Sequence, residues 1–253
     1  MKDMLVYPTG CTQAVEYAVK LLTARKVPVV DHPTPEVTHL LLDVPSFGPD
    51  GNLRDRSDPE RVLEQLPPDI TVVGGNLRHG ALEEYRVIDL LQDAQYLAEN
   101  AMITAECALQ VAAPLLKTTF RDSPALVIGW GRIGKCLGTL LQGLGCHVTI
   151  SARKESDRAL LTALGFQTVD TKDLGQALPH CSLIINTVPE VVATEQQLAL
   201  CRDCVKIDLA SKPGLLGNDV HWARGLPGIL APASSGRLIA ETFMRLCCKE
   251  EKA

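Results

Sequence analysis

A glycine-rich turn between an apolar strand and a helix constrains this chain more than any other feature. Residues 125–128 form an apolar run that enters Gly129-Trp130-Gly131-Arg132-Ile133-Gly134. A helical pattern follows, ends at Gly145 and leads into a second strand-like run at residues 147–150. Strand, glycine turn, helix and strand within about 30 residues are typical of the first half of a dinucleotide-binding unit.

Each glycine of this turn has its own physical task. Gly129 permits the tight turn, Gly131 lets the backbone approach a pyrophosphate, and Gly134 lets the helix pack closely on the strand. The phosphates would bind the free N–H groups at the start of the helix, where Arg132 and Ile133 lie. The alternative is that the glycines only form a tight corner between strand and helix.

The residues that end the second strand indicate which dinucleotide binds. An NAD site expects Asp or Glu at this point, because the carboxylate accepts a hydrogen bond from the ribose 2′-OH. Here the strand ends Ser151-Ala152-Arg153-Lys154. A hydroxyl and two cations suit a 2′-phosphate better. We therefore predict NADP(H), held by Ser151, Arg153 and Lys154, while NAD remains possible if the ribose is held by the backbone alone.

Length and charge exclude some classes of partner. A chain of 253 residues can form two compact domains or one large one. A net charge of -5 gives no footprint for nucleic acid or an anionic membrane, and no apolar run is long enough to span a bilayer. We therefore expect a cytoplasmic protein that binds neither nucleic acid nor membrane.

The cysteines predict no metal site. There are nine, an odd number spread along the chain, which favours reduced thiols in a reducing compartment. The one CxxC motif, Cys201 to Cys204, lacks the second pair or the nearby His that zinc needs. We expect most of these cysteines to be small buried apolar side chains.

Alternating strand and helix patterns predict an α/β fold. Residues 1–92 read as a small N-terminal α/β domain of flavodoxin-like type with a mainly parallel sheet, including a strand at 27–30. A helical pattern over 93–118 predicts a long connector. Residues 119–234 then form the Rossmann-type, doubly wound domain, including a short helix at 171–178 capped by Thr171, and 235–253 form a C-terminal helix.

Polar residues at the ends of the predicted strands are the candidate site. Ligands of such sheets bind beyond the carboxyl ends of parallel strands. In the C-terminal half the candidates follow two apolar strands near the expected nicotinamide position: Asn186, Thr187, Val188, Pro189, Asp208, Ser211 and Lys212. In the N-terminal domain Thr9, Asn76 and His79 qualify, and Glu106 could reach the site from the connector. Each has a local alternative, such as capping a helix or forming a turn, and for Asp208, which lies within its strand, the alternative is a structural carboxylate.

Four segments resemble the signature stretches of one family, the A subunits of dipicolinate synthase. They are Asn186–Pro189, Asp208–Gly214, Gly228–Ala240 and, less extensively, Asn100–Glu106. The resemblance implies a two-domain fold related to the D-2-hydroxyacid dehydrogenases, with NADP(H) in the cleft. It also implies the last step of spore dipicolinate formation, in which a dihydrodipicolinate is oxidised to the aromatic dicarboxylate. That family works beside a flavoprotein second subunit, and its final helix runs back onto the first domain.

The chain departs from the family pattern in one region. Ala233 stands where the family usually has Lys, and the segment between the Pro213-Gly214 turn and the final helix is shorter. Either Gly225–Gly228 matches the family's loop and the preceding strand is lost, or residues 226–231 are that strand. We favour the second alternative, because a lost strand would uncover the edge of the sheet.

An anionic dicarboxylate substrate requires cationic or N–H donors. Lys212 and Arg237 are the predicted carboxylate anchors, Ser211, Ser234 and Ser235 are predicted donors, and Asn186 completes the predicted catalytic set. The residues identify no general base. Two other functions remain open, a plain D-2-hydroxyacid dehydrogenase, for which the only late histidine is His221, and a nucleotide-binding subunit without catalytic activity. We expect a homodimer.

Overall fold

The computed structural model describes residues 4–201 and 203–247. Two compact units make up the chain, one of residues 1–100 with 227–253 and the other of residues 101–226. Both are α/β units built on parallel sheets, so the predicted fold class is confirmed. Part of the predicted C-terminal helix, residues 248–253, lies outside the described residues, as do residues 1–3.

The first unit has a four-stranded parallel sheet. Its strands are β1 (Val6–Pro8), β2 (His39–Leu41), β3 (Thr71–Gly74) and β4 (Arg86–Asp89), in the spatial order β1-β2-β3-β4. Val29 adds a single parallel bridge to Val6 on the other side of β1. If this segment is counted as the second strand, the order is 2-1-3-4-5, which is the flavodoxin-like order.

In place of the strand predicted at residues 27–30, the structure has only that bridge. Pro28 lies in the middle of the segment and has no N–H group to donate to a ladder. Its carbonyl still accepts a hydrogen bond from the Val6 N–H at 2.9 Å, and the Val30 N–H donates to the Val6 carbonyl at 2.9 Å. The segment therefore pairs with β1 without extending into a full strand.

Three α-helices of the described residues lie wholly within the first unit. They are α1 (Gln13–Ala24), α2 (Pro59–Leu63) and α8 (Pro232–Cys247), the last of which packs on α1. Gly236 permits this packing, because a Cβ on Gly236 would lie 2.4 Å from the Ala14 carbonyl oxygen. Arg245 then fixes the C-terminal half of α8 through a two-pronged ion pair with Asp93.

The second unit has a six-stranded parallel sheet. Its strands are β5 (Pro124–Ile128), β6 (His147–Ser151), β7 (Gln167–Val169), β8 (Leu183–Asn186), β9 (Val205–Asp208) and β10 (Val220–Trp222). The spatial order β10-β9-β8-β5-β6-β7 is the Rossmann order 3-2-1-4-5-6, read from the opposite edge. The point where the strand order reverses lies between β5 and β8, beside the glycine turn.

The remaining helices are α3 (Ala94–Ala112), α4 (Arg132–Gly143), α5 (Glu155–Ala163), α6 (Glu195–Leu198) and α7 (Leu226–Leu230). The boundary between the two units falls inside α3, between Asn100 and Ala101. The helix predicted over 93–118 is shorter in the structure, because turns begin directly after Ala112. Among the helices of the described residues, none is long and apolar enough to cross a membrane.

Neither reading of residues 225–231 is correct. The last strand of the sheet is β10, which pairs with β9 and is held there by the Trp222 indole N–H, 3.0 Å from the Ala210 carbonyl. Residues 226–230 are helical instead, and Gly225, with a φ of +65°, separates the two elements. Pro227 explains the difference, because it suits a first helical turn and cannot donate within a strand.

Candidate nucleotide and substrate site

The glycine turn has the geometry that its three glycines predict. Gly129 has a φ of +105°, a conformation that L residues rarely adopt. A Cβ on Gly134 would lie 2.0 Å from the Gly129 carbonyl oxygen, so only glycine permits this contact between helix and turn. A Cβ on Gly131, in contrast, would meet no described atom within 4 Å. The space beside Gly131 is therefore open in the way that an approaching phosphate requires.

Helix α4 presents its N-terminus at this open space. Gly131 is the N-cap and makes no side-chain capping bond, so the N–H groups of the first turn, from Arg132 to Gly134, remain for a ligand. Together with the positive end of the helix dipole, they form a binding site for an anion such as a pyrophosphate. Arg132 is exposed beside them, and Ile133 is half-buried.

Ser151 lies where β6 ends, but its hydroxyl does not face solvent. The residue is fully buried, and its Oγ accepts a hydrogen bond from the Gly129 N–H at 3.3 Å. The same Oγ lies 3.0 Å from Thr171 Oγ1. Thr171 does not cap a helix at 171–178 as predicted, since its hydroxyl is used in this contact and the segment forms turns. Ser151 therefore supports the glycine turn from behind, and its predicted contact with the 2′-phosphate has no support in this geometry.

Two cations follow β6 at the surface, as the sequence indicates. Arg153 and Lys154 are both exposed, and Lys154 is the N-cap of α5. Arg153 lies 4.0 Å from Glu190, and both side chains are more than 70% exposed, so this ion pair is weak. Both cations therefore remain accessible to a phosphate.

Sequence reasoning missed the residue that holds this loop in place. Arg158, one turn into α5, donates from Nη1 to the carbonyl oxygens of Ala152 at 2.7 Å and Arg153 at 3.0 Å. Its guanidinium also pairs with Asp170, directly after β7, at 3.0 Å. An arginine one turn into the helix and an aspartate at a strand end were visible in the sequence, but only the fold brings them together.

On the other side of β5, Asn186 and Asp208 form a fully buried pair. Asn186 donates from Nδ2 to Asp208 Oδ1 at 3.0 Å and to the Val188 carbonyl at 2.9 Å. Its Oδ1 accepts from the Val188 N–H at 3.0 Å. Because both polar atoms of Asn186 are engaged within the protein, its geometry suits a positioning role after β8 rather than contact with substrate.

The Asp208 carboxylate organises the loop after β9. In addition to Asn186, it accepts hydrogen bonds from three backbone N–H groups, Ala210 at 3.0 Å, Gly214 at 2.7 Å and Leu215 at 2.9 Å. Four donors compensate the burial of this carboxylate, which forms no ion pair with a cation of the described residues. The loop that this carboxylate closes carries Ser211 and Lys212, both exposed at its outer surface.

The residues after β8 pack against the glycine turn. Thr187 donates from Oγ1 to the Ile128 carbonyl at 2.9 Å, and a Cβ on Gly129 would lie 2.6 Å from that same Oγ1. Val188 would be 2.8 Å from this Cβ, while Pro189 is exposed. Thr187 and Val188 thus lie beside Gly129, and their contact with a bound nucleotide stays a prediction.

Arg237 belongs to the other unit. It is exposed on α8 and borders, with Tyr17 and Lys20 of α1, a shallow hollow of about 350 Å³. Ser235, also predicted as a donor, is buried on α8, and its hydroxyl has no hydrogen-bond partner among the described residues. The structure therefore places Arg237 and Lys212 on separate units, and their shared role stays a prediction.

The candidates in the first unit lie at strand ends but are engaged locally. Thr9 donates to Asp55 at 3.3 Å, and the Asn76 N–H donates to Asp89 at 3.1 Å. His79 stacks on Phe47, with ring centroids 4.3 Å apart, and caps a 3₁₀ turn. His79 also lines a surface cavity of about 490 Å³ beside Arg78, Glu83 and Tyr85.

Most of the described cysteines are buried or half-buried thiols, whereas Cys11 is exposed. Burial raises the pKa of Cys181 to about 12 and, with neighbouring thiols adding to the effect, that of Cys204 to about 12. Such thiols carry almost no thiolate at neutral pH and are poor nucleophiles and ligands. Within residues 4–201 and 203–247, no group of His, Cys, Asp and Glu side chains is arranged to hold a metal ion. Arg202, inside the CxxC motif, lies outside the described residues.

Comparison with known proteins bears on this geometry. The family model for the NAD-binding domain of the D-isomer specific 2-hydroxyacid dehydrogenases matches residues 89–200 of this chain. Among curated proteins, the A subunit of dipicolinate synthase from Bacillus subtilis (strain 168) is 27% identical over 172 residues. The chain resembles this dipicolinate synthase protein. The match covers 64% of this chain and 57% of the length of that relative.

Solved structures show the same fold. The A subunit of dipicolinate synthase from Bacillus halodurans superposes with a TM-score of 0.80, covering 97% of this chain and 98% of that one at 22% identity. A transhydrogenase from Sinorhizobium meliloti gives a TM-score of 0.72, covering 97% of this chain and 94% of that one at 13% identity. The resemblance to the A subunits of dipicolinate synthase and the Rossmann-type fold are thus confirmed, and residues 89–200 match the NAD-binding domain of the D-isomer specific 2-hydroxyacid dehydrogenases.

Proposed function

We propose that this chain is an NADP(H)-dependent oxidoreductase that oxidises a dihydrodipicolinate to dipicolinate. The observation that carries the proposal is the glycine turn, with its positive φ at Gly129, its contact at Gly134 and its open space at Gly131. The resemblance to the A subunits of dipicolinate synthase supports the choice of substrate.

The exposed cations after β6 support NADP over NAD. Arg153 and Lys154 are accessible, residues 151–154 at the end of β6 include no acidic residue, and Ser151 is buried. An NAD site would place a carboxylate there to accept from the ribose 2′-OH. We assign the 2′-phosphate to Arg153 and Lys154, and the diphosphate to the N–H groups from Arg132 to Gly134.

Conversion of a dihydropyridine dicarboxylate to the aromatic ring removes one hydride and one proton. The bound nicotinamide would supply the hydride acceptor. Exposed donors on the loop closed by Asp208, the Lys212 ammonium and the Ser211 hydroxyl, would orient a substrate carboxylate. Asn186 and Asp208 would hold that loop in position. Aromatisation is itself favourable, so orientation of the substrate would supply much of the catalysis.

The resemblance also supports a biological setting. We propose a cytoplasmic homodimer that works during sporulation beside a flavoprotein second subunit. Arg237 would act as a second carboxylate anchor. A D-2-hydroxyacid dehydrogenase is the rival enzyme, favoured by the domain match over residues 89–200, and a catalytically silent nucleotide-binding subunit is the third alternative.

Turnover separates the three functions. The purified chain is supplied with NADP⁺ and enzymatically generated dihydrodipicolinate, and in parallel with NADPH and a panel of 2-keto acids, while absorbance of the reduced coenzyme is followed. Reduction of NADP⁺ only with dihydrodipicolinate supports the proposal. Oxidation of NADPH by a 2-keto acid supports the rival dehydrogenase, and nucleotide binding without turnover in either assay supports the silent subunit.

Lys212→Ala tests the carboxylate anchor within that assay. We expect KM for the dicarboxylate to rise at least about tenfold, because a charge-assisted hydrogen bond is lost. Lys172→Ala, an exposed lysine elsewhere in the same unit, is the matched control. An unchanged KM in Lys212→Ala would remove this residue from the substrate site.

A further inference from the structure

Two adjacent residues after β7 connect to both halves of the nucleotide site. Asp170 and Thr171 follow the strand directly. The Asp170 side chain faces Arg158 of α5 and also accepts a hydrogen bond from the Lys172 N–H at 2.9 Å, while the Thr171 hydroxyl faces Ser151 of β6. Asp170 pairs with Arg158 at 3.0 Å, and Thr171 Oγ1 lies 3.0 Å from Ser151 Oγ. The sequence pattern predicts only a helix cap for Thr171 and no role for Asp170.

The contacts that start at Asp170 lead to the loop that carries Arg153 and Lys154. Arg158 is held by Asp170 and donates to the carbonyl oxygens of Ala152 and Arg153. The Arg158 and Asp170 side chains are 23% and 35% exposed, so this pair is better shielded from solvent than the pair of Arg153 with Glu190. The backbone from which the Arg153 and Lys154 side chains extend is therefore set by the Asp170–Arg158 pair.

The Thr171 branch ends at the glycine turn. Thr171 contacts Ser151 Oγ, which accepts from the Gly129 N–H, and Ser151 is fully buried. The contacts that run from Thr171 through Ser151 to Gly129 include no cation. They end at the glycine turn, which would bind the part of the ligand that NAD and NADP share. The two neighbours thus support chemically different parts of one ligand, the ribose phosphate end and the diphosphate.

We propose that Asp170 and Thr171 are separate positioning residues for the coenzyme. Asp170, acting through Arg158, sets the preference for a 2′-phosphorylated dinucleotide. Thr171, acting through Ser151, sets the affinity for the diphosphate of either dinucleotide. This inference rests on the proposed function, since it assigns a specificity determinant to the same nucleotide site.

The test compares NADP⁺ and NAD⁺ affinities by calorimetry for single variants. Asp170→Asn keeps the side-chain shape and removes the charge that holds Arg158, and we expect the preference for NADP⁺ over NAD⁺ to fall at least about fivefold, mainly through weaker NADP⁺ binding. Thr171→Val removes only the hydroxyl, and we expect both affinities to fall by the same factor. Asp173→Asn, an exposed aspartate in the same segment, is the matched control and should change neither affinity.

The possible results distinguish failure of this inference from failure of the proposed function. If the wild-type chain binds neither dinucleotide, the proposed function fails. If it prefers NADP⁺ and Asp170→Asn leaves the preference unchanged, the inference fails while the proposed function stands. An equal loss of both affinities in Asp170→Asn would also overturn the inference, because it would show general damage to the unit. Arg158→Lys, which keeps a cation beside Asp170, should retain more of the preference than Arg158→Met does.

Discussion

The two sides of the glycine turn stabilise their strand ends by different means. Beyond β8 and β9, a fully buried carboxylate, Asp208, receives four hydrogen bonds and closes a whole loop. Beyond β6 and β7, the neutral hydroxyls of Ser151 and Thr171 and a partly exposed ion pair between Arg158 and Asp170 hold the strand ends in place. A buried charge that depends on several donors is costly to disturb, whereas neutral hydroxyl contacts are replaceable. We therefore expect the side beyond β8 and β9, where we propose that the nicotinamide binds, to be the more rigid one, and the side beyond β6 and β7, proposed for the adenosine, to be the more adjustable one.

Substitution at Asp208 should have the largest effect. In Asp208→Asn, either orientation of the amide turns its NH₂ group toward two donors, so two hydrogen bonds are lost. We expect the free energy of unfolding to fall by about 3 kcal/mol, measured by urea denaturation. Glu190→Gln, an exposed acid nearby, should change it by less than about 0.5 kcal/mol. Similar stabilities for the two variants would remove the claimed rigidity of this side.

The glycine turn lies between the two sides. Substitutions of its glycines should distinguish an effect on the free energy of unfolding from an effect on coenzyme affinity. Gly134→Ala forces a Cβ against the Gly129 carbonyl and should lower the free energy of unfolding by about 2 kcal/mol. Gly131→Ala meets no described atom, so its stability should change by less than about 1 kcal/mol. Its affinity for NADP⁺ should nevertheless fall at least about tenfold, since the methyl group takes the place of the diphosphate. Full binding by Gly131→Ala would contradict the phosphate assignment.

Ser151 offers a direct contrast with Asp208. Ser151→Ala removes the contact with Thr171 and one bond to the Gly129 N–H. That N–H keeps its bond to the Ser151 carbonyl at 3.2 Å, so no buried donor is left unsatisfied. We expect a loss of only about 1 kcal/mol in the same denaturation experiment. A loss as large as that in Asp208→Asn would erase the difference between the two sides.

An ion pair in the other unit should give an effect no larger than that of Ser151→Ala, together with a pH signature. The hydrogen bond from Arg245 holds the pKa of Asp93 below its ordinary value of 3.8. A lowered carboxyl pKa means that the stabilisation is present above pH 3.8 and is lost as the pH falls through the lower, folded-state pKa. Arg245→Met should therefore cost about 1 kcal/mol at pH 7, with the difference from wild type shrinking in acid. A difference that stays constant down to the acid limit would exclude ionisation of Asp93 as its source.

Local patterns predicted much of the fold because they report backbone preferences directly. The glycine turn, the apolar runs of β5 and β8 and the helical pattern of α4 each depend on neighbours within a few residues. Thr171 and residues 226–231 were misassigned because their structure depends on distant partners: Ser151 for Thr171, and the edge beside β9, which β10 already occupies. In the same way, sequence placed Arg153 and Lys154 after β6 but could not reveal Arg158, whose partners are backbone carbonyls. Side chains that hold other groups in place are recognisable only once the fold brings their partners together.

The central claim is that this turn and the cations after β6 bind a 2′-phosphorylated dinucleotide. Calorimetric titration of the wild-type chain and of the double variant Arg153→Ala with Lys154→Ala, each with NADP⁺ and NAD⁺, tests it most directly. We expect the wild-type chain to bind NADP⁺ at least about tenfold more tightly than NAD⁺, and the double variant to bind both equally. Absence of heat with both coenzymes in the wild-type chain, or tighter binding of NAD⁺, would contradict the account.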